Sequence, residues 1–120
     1  MRVIVCGGRN FRDADFMDAA LSAFNRKHPL ELVITGDGKG VAGAPGADAL
    51  AYAWAKRNGI HCARIEALWD THDKAAGPKR NAMLLTLDAE AVIAFPGGTG
   101  TADMIAQASR EGLPIWEPSK

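Results

Sequence analysis

The sequence has little of the chemistry that most often identifies a small protein. Its 120 residues include two cysteines, Cys6 and Cys62, with no CxxC pair, and three scattered histidines without ligand spacing. A disulfide framework, a redox dithiol and a zinc cluster are therefore not indicated. We predict two reduced core thiols, no metal site and no cofactor.

Long apolar runs and an excess of either charge are also missing. No run approaches the roughly 18 apolar residues that a membrane span needs, and the first residues lead into a short strand rather than a signal peptide. We therefore expect a cytoplasmic protein with no membrane partner. Fourteen basic residues balance fourteen acidic ones, so the chain lacks the positive field on which non-specific nucleic-acid binders depend.

The chain does show a regular alternation of short β-branched runs and amphipathic helical patterns. The predicted strands span 2–6, 30–35, 60–65, 89–95 and 114–116, and the predicted helices span 13–28, 47–58, 78–87 and 101–111. Such alternation calls for parallel βαβ units with right-handed crossovers and helices on both faces of the sheet. The prediction is a single α/β, Rossmann-like domain over residues 1–120.

Glycine is the strongest signal in the sequence. Gly59 and Gly112 are explained as residues that end helices. The other eleven glycines lie between a strand end and the next helix start, at positions 7, 8, 36, 38, 40, 43, 46, 77, 97, 98 and 100. In a parallel sheet these connections meet at the carboxyl edge, where open α/β sheets hold ligands. Bare backbone in front of helix N-termini favours an anion such as phosphate.

The segment PGGTGT, residues 96–101, combines a strand end, a bare turn and two hydroxyls. A tight turn with Thr101 as helix N-cap explains one such loop equally well, but four loops on one edge favour a ligand site. Neither common phosphate motif is present. GDGKG is not a Walker A sequence, and CGGRN is not GxGxxG.

Four segments taken in order carry a resemblance to a known family: CGGRNF, GADALAYAWA, LWDTHDKAAGPKRNAM and AFPGGTGTADM. Together they resemble the YspA/YpsA-related branch of the SMF/DprA-LOG (SLOG) superfamily over nearly the whole chain. The resemblance implies a Rossmann-like domain with strand order 3-2-1-4-5. It also implies a site for a nucleotide or nucleotide derivative between the loops after strands one and four. The implied role is that of a nucleotide sensor or processor, often linked to phage or conflict systems.

The chain departs from the family pattern at two places. After strand two the compact HGGAxGAD of this branch is replaced by the longer TGDGKGVAGAPGAD, which lacks the histidine. The superfamily's lonely-guy phosphoribohydrolases use an arginine in an RKxxM-like helix start and a glutamate in PGGxGTxxE. Arg80 matches that arginine, but Met104 occupies the glutamate position. Asp103 precedes it and is rotated by about 100° around the helix.

Several polar residues have both a ligand role and a plain structural one. Arg80 at the start of helix three is predicted to reach a phosphate over the strand ends, the alternative being a salt bridge to Asp70 or Asp73. Arg9 would face the same crevice or point into solvent. Asn81 would bond a ribose or pin the neighbouring loop.

Two further candidates are Asp48 and Trp69. Asp48 would accept hydrogen bonds from a ribose or cap helix two, which is the more frequent use of such an aspartate. Trp69, in a loop, would stack on a base or plug the underside of that loop.

The leading hypothesis is a binding module for a phosphorylated nucleotide or an ADP-ribose-like derivative, acting as sensor or sequestering protein. Backbone amides of the glycine loops would hold the phosphate, including those of Gly8, Gly97, Gly98 and Gly100 to Thr101. The full predicted site comprises Gly7, Gly8, Arg9, Asp48, Trp69, Arg80, Asn81, Pro96, Gly97, Gly98, Thr99, Gly100 and Thr101.

We keep two alternative functions beside this hypothesis and also predict an oligomeric state. The first alternative is a phosphoribohydrolase that splits a nucleoside 5′-monophosphate with Arg80 and Asp103. The second is single-stranded DNA binding, against which the neutral charge argues. Small alanine-rich helix faces, together with the pairing of relatives, predict a homodimer.

Overall fold

Five parallel strands alternate with four helices in the part of the chain that the structure, a computed structural model, describes: residues 1–37, 45–68 and 75–119. The strands are β1 (Arg2–Cys6), β2 (Leu32–Gly36), β3 (His61–Ile65), β4 (Ala91–Ala94) and β5 (Ile115–Trp116). The helices are α1 (Ala14–Lys27), α2 (Ala47–Arg57), α3 (Ala76–Leu85) and α4 (Thr99–Arg110). Each predicted element is present, with ends displaced by up to two residues.

The strand order is β3-β2-β1-β4-β5, with every pairing parallel. β1 lies at the centre, where Val3 pairs with Val33 of β2 on one side and with Ala91 of β4 on the other. The order reverses direction between β1 and β4, and this switch point is where open sheets form a crevice at their carboxyl edge. The predicted α/β class and strand order are confirmed.

Two apolar cores lie on opposite faces of the sheet. Because successive strand side chains point to opposite faces, Val3 and Val5 of β1 belong to one core, and Ile4 and Cys6 belong to the other. Residues of α1 and α2, such as Met17 and Trp54, complete the first core, and residues of α3 and α4, such as Leu84 and Met104, complete the second. The helices therefore cover both faces, as predicted.

The helix starts show where the sequence pattern was inaccurate. α3 begins two residues before Pro78, so Gly77 lies buried in its first turn rather than in the preceding loop. α4 begins at Thr99 with Gly98 as N-cap, so the predicted N-cap at Thr101 is wrong. The two predicted helix-ending glycines are confirmed, because Gly59 and Gly112 follow α2 and α4 with φ of 68° and 76°.

Among the residues that the structure describes, none of the helices combines the length and the apolar character that a bilayer crossing requires.

Candidate ligand-binding site

An open crevice of about 1510 Å³ runs along the carboxyl edge of the sheet. Its walls come from the loops after β1, β2, β3 and β4 and from the first turns of α3 and α4. Loops that are far apart in sequence thus gather at one edge, as a parallel sheet requires. The volume exceeds the roughly 300–1,000 Å³ of most small-molecule sites.

The loops after β1 and β4 are packed directly against each other. The Gly8 N–H donates to the Pro96 carbonyl oxygen at 2.9 Å. A Cβ at Gly97 would lie 2.7 Å from Gly8 N, and a Cβ at Gly7 would lie 2.6 Å from the Ala47 Cβ. Bare backbone is needed here for the loops to approach each other. The Gly8 amide, which was expected to bind phosphate, is instead used within the protein.

The turn into α4 has a different environment. A Cβ at Gly98 or Gly100 would meet nothing within 4 Å, and residues 98–100 are exposed. The N–H groups of a first helical turn have no partner within the helix, and the positive end of the helix dipole lies there. This turn is therefore the part of the crevice wall where backbone donors face open space. Thr101 is buried, and its hydroxyl occupies the space that a side chain at Gly97 would need.

Arg80, in α3, is held over the end of β2. Its side chain is 17% exposed, its Nε donates to Asn81 Oδ1 at 3.1 Å, and its Nη1 lies 4.0 Å from Asp48 Oδ2. A Cβ at Gly36 would lie 2.7 Å from the Arg80 Cζ, so the glycine provides the room for the guanidinium. The salt-bridge partners that the sequence suggested, residues 70 and 73, lie outside the described residues.

Asp48 is the second residue of α2, and the N-cap is Gly46. The expected role of Asp48 as the cap of this helix is therefore wrong. Its carboxylate instead lies at the crevice, 15% exposed, and Oδ1 is 3.1 Å from the hydroxyl of Thr35. That hydroxyl is also 3.0 Å from the Val5 carbonyl oxygen. Sequence reasoning missed Thr35, although a hydroxyl at the end of the apolar run LVIT is a detectable signal.

Asn81 connects α3 with α4. It is 3% exposed, and its Nδ2 donates to the Gly100 carbonyl oxygen at 3.1 Å and to Asp103 Oδ2 at 3.0 Å. Gln107, which the sequence reading also missed, donates through Nε2 to Asp103 Oδ2 at 2.8 Å and to the Pro78 carbonyl oxygen at 3.0 Å. Its position one helical turn after Asp103 is the signal that could have identified it.

Met104 occupies the position of the hydrolase glutamate, and Asp103 precedes it; the two side chains have different environments. Met104 is 1% exposed and packs in the core between the sheet and α4. Asp103 lines the crevice, with Oδ2 engaged by two amide donors. Of the remaining predicted residues, Arg9 is exposed and lines the crevice, and Trp69 lies outside the described residues.

Cys6 lines the crevice floor at the end of β1. Burial raises the pKa of its thiol to about 12, with a further rise from Asp48 and an opposing effect from Arg80. Burial likewise raises the pKa of Cys62 to about 11. Both residues therefore remain protonated thiols at neutral pH, and neither has the lowered pKa of a nucleophilic cysteine.

The described residues form a Rossmann-like domain with glycine-rich backbone and a partly buried arginine, Arg80, at the carboxyl edge of the sheet. The family model described as "YspA, cpYpsA-related SLOG family" matches residues 1–72. The chain is also 31% identical over 121 residues to the "Gene 61 protein" of Mycobacterium phage D29, covering 95% of this chain and 93% of that protein. The chain belongs to the YspA, cpYpsA-related SLOG family. Membership indicates a nucleotide-related binding or processing function.

Proposed function

We propose that the protein binds a phosphorylated nucleotide or nucleotide derivative, a nucleoside phosphate or an ADP-ribose-like molecule, as a sensor or sequestering module. The observation that carries this proposal is the state of Arg80. Its Nε is used by Asn81, and Nη1 is 4.0 Å from Asp48 Oδ2, while no acceptor among the described residues bonds Nη2. A planar guanidinium held in this way suits two-point contact with phosphate.

The other predicted residues fit around this contact. The first turn of α4, residues 99–101, would add backbone N–H donors to the phosphate, and Arg9 would add charge at the rim. Asp48 would accept hydrogen bonds from ribose hydroxyls, since its carboxylate reaches the crevice and Thr35 orients it. Gly7, Gly8, Pro96 and Gly97 would form the wall on which the ligand lies.

Calorimetry with the four common nucleoside 5′-monophosphates and ADP-ribose tests the proposal. We expect Arg80→Ala to weaken the binding of the tightest ligand by about tenfold or more, as expected for loss of a charge-assisted contact. The matched control is Arg26→Ala, which removes an exposed arginine from the last turn of α1, and it should leave the affinity unchanged. Absence of binding across the panel would contradict the proposal.

Cleavage of the ligand is the alternative, and it depends on Asp103, because Met104 lies in the core. Two amide groups hold Asp103 Oδ2, so contact with the reacting atoms would fall to Oδ1. Incubation with nucleoside 5′-monophosphates and chromatography of the products checks this directly. Release of free base, lost in Asp103→Asn, would reassign the protein as a phosphoribohydrolase.

Single-stranded DNA fits the crevice less well than a small ligand. Its described lining carries five carboxylates, of Asp13, Asp37, Asp48, Glu66 and Asp103, against three guanidinium groups, of Arg9, Arg12 and Arg80. Such a lining opposes a long phosphate backbone. An oligonucleotide is therefore expected to give no mobility shift at low salt.

A phage-linked role and a homodimer complete the proposal. The similarity to a protein of Mycobacterium phage D29 over 93% of its length supports the first. Small side chains on α2 and α4, such as Ala53 and Ala106, support the second. Sedimentation velocity will distinguish a dimer from a monomer, and a monomer would contradict this part of the proposal.

A further inference from the structure

Asn81 lies buried where α3, α4 and Arg80 meet. The Oδ1 end of its amide accepts from Arg80 Nε, and the Nδ2 end donates to the Gly100 carbonyl oxygen and to Asp103 Oδ2. Both ends of one amide are therefore used on groups that line the crevice, and Asn81, although it also lines the crevice, is only 3% exposed. A side chain in this state is placed to orient other groups rather than to meet a ligand.

The contact with Nε matters because an arginine side chain has many rotamers. Ordering it only when the ligand arrives costs conformational entropy and weakens binding. Nε lies in the plane of the guanidinium, so a hydrogen bond at Nε fixes the direction in which Nη1 and Nη2 point. Gly36 provides the space that the guanidinium occupies, and Asp48 Oδ2 lies 4.0 Å from its Nη1.

We propose that Asn81 is a positioning residue, which sets the Arg80 guanidinium for a phosphate group of the ligand without itself touching the ligand. This inference rests on the proposed function. It replaces the expected contact of Asn81 with a ribose by an effect that is transmitted through Arg80.

Gln107 provides a matched control. It is also an amide, it donates to the same Asp103 oxygen, and it also ties α4 to α3 through the Pro78 carbonyl oxygen. Its described hydrogen bonds do not include Arg80. Asn81→Leu and Gln107→Leu therefore both remove a tie between the two helices, but only the first removes the contact with Arg80, together with the bond to the Gly100 carbonyl oxygen.

The first experiment measures affinity for the tightest-binding nucleoside 5′-monophosphate of the panel and for the corresponding nucleoside. The ratio of the two dissociation constants gives the part of the affinity that depends on phosphate. We expect Asn81→Leu to reduce this ratio by about tenfold, with nucleoside binding unchanged, and Gln107→Leu to alter it by less than about twofold. Equal loss of nucleoside and nucleotide affinity, or equal effects of the two variants, would overturn the inference.

The second experiment needs no ligand. In ¹⁵N–¹H spectra the Nε–H signal of Arg80, assigned with Arg80→Lys, should exchange slowly with water in the wild type and in Gln107→Leu. It should exchange rapidly in Asn81→Leu. Rapid exchange in the wild type would contradict the arrangement.

A double variant guards against misfolding of Asn81→Leu. Asn81→Asp combined with Asp103→Asn keeps an acceptor for Arg80 Nε but loses the donor to the Gly100 carbonyl oxygen. It should retain slow Nε–H exchange, and rapid exchange in the folded double variant would count against the inference.

Different results would contradict the proposed function and the inference about Asn81. A wild-type protein that binds no nucleotide overturns both. A protein whose binding needs Arg80 but tolerates Asn81→Leu keeps the proposed function and loses this inference.

Discussion

Six glycines in the loops at or beside the crevice fall into two groups according to the space around them. At positions 7, 8, 46 and 97 a Cβ would lie between 2.6 and 3.1 Å from neighbouring backbone or a Cβ atom, whereas at positions 98 and 100 it would meet nothing within 4 Å. The first group lets loops pack against each other, and the second leaves backbone donors open. Sequence spacing alone does not separate these two uses.

This division predicts opposite effects of the same substitution three residues apart. Gly97→Ala should lower the free energy of unfolding by about 1–3 kcal/mol, because its Cβ would press on the backbone of Gly8. Gly100→Ala, in the first turn of α4, should leave stability unchanged or raise it by up to about 1 kcal/mol. Urea unfolding of both variants measures the difference, and similar losses in the two would contradict the division.

For a substitution at Gly36 we predict an effect on nucleotide affinity rather than on stability. An alanine there would meet the Arg80 guanidinium and the Asp48 carboxylate, which are flexible ends that can move aside. Gly36→Ala should therefore unfold within about 1 kcal/mol of the wild type but bind the nucleotide several-fold more weakly. In a double-mutant cycle with Arg80→Ala, the second change should add little, since both act on the same contact. Additive losses would show that Gly36 acts independently of Arg80.

At the scale of the elements, patterning predicts the bodies of the helices better than their first turns. Gly77 and Gly100 are poor helix formers, so local preference delays the predicted starts of α3 and α4. Tertiary contacts overrule this preference, because Asn81 of α3 bonds the Gly100 carbonyl oxygen of α4 and Gln107 of α4 bonds Pro78 of α3. Each helix start is stabilised by a side chain from the other helix.

The start of α1, in contrast, is determined locally. Asp13 is its N-cap and accepts from the Phe16 N–H at 3.0 Å. Asp13→Ala should lower the free energy of unfolding by roughly 0.5–2 kcal/mol. Asp15→Ala, which removes an exposed carboxylate from the same turn, is the control and should cost less. Thermal denaturation of both variants provides the test, and a larger loss in Asp15→Ala would show that the cap is unimportant.

At the scale of the whole molecule, the buried thiol of Cys6 and the partly buried thiol of Cys62 predict sensitivity to alkali. Folding raises the pKa of Cys6 from 9.0 to about 12 and that of Cys62 to about 11. The folded state therefore binds more protons than the unfolded state above pH 9. The contribution of the two thiols to the free energy of unfolding is complete below pH 9 and is lost as pH rises toward 12. For Cys6 the loss is about 1.4 kcal/mol per pH unit.

Urea unfolding at pH 8.5, 9.5 and 10.5 measures this slope. In Cys6→Ala the decline should be shallower, whatever the variant's stability at pH 8.5. Parallel declines in the two proteins would show that Cys6 does not titrate differently on folding.

The sequence by itself determined the α/β class, the five strands and the convergence of the glycine loops, because alternating patterns of period 2 and 3.6 and glycine placement are local properties. It also singled out Arg80 by its place at a helix start. Only the tertiary structure decided which glycines pack and which stay open, and that Asp48 faces Arg80 across β2. The tertiary structure also decided the partners of the Asn81 and Gln107 amides. Asn81 bonds groups 19 and 22 residues away in addition to its neighbour Arg80. Gln107 bonds a group 29 residues away in addition to Asp103, one helical turn before it. Such contacts depend on how separate elements are placed, and no local pattern encodes that placement.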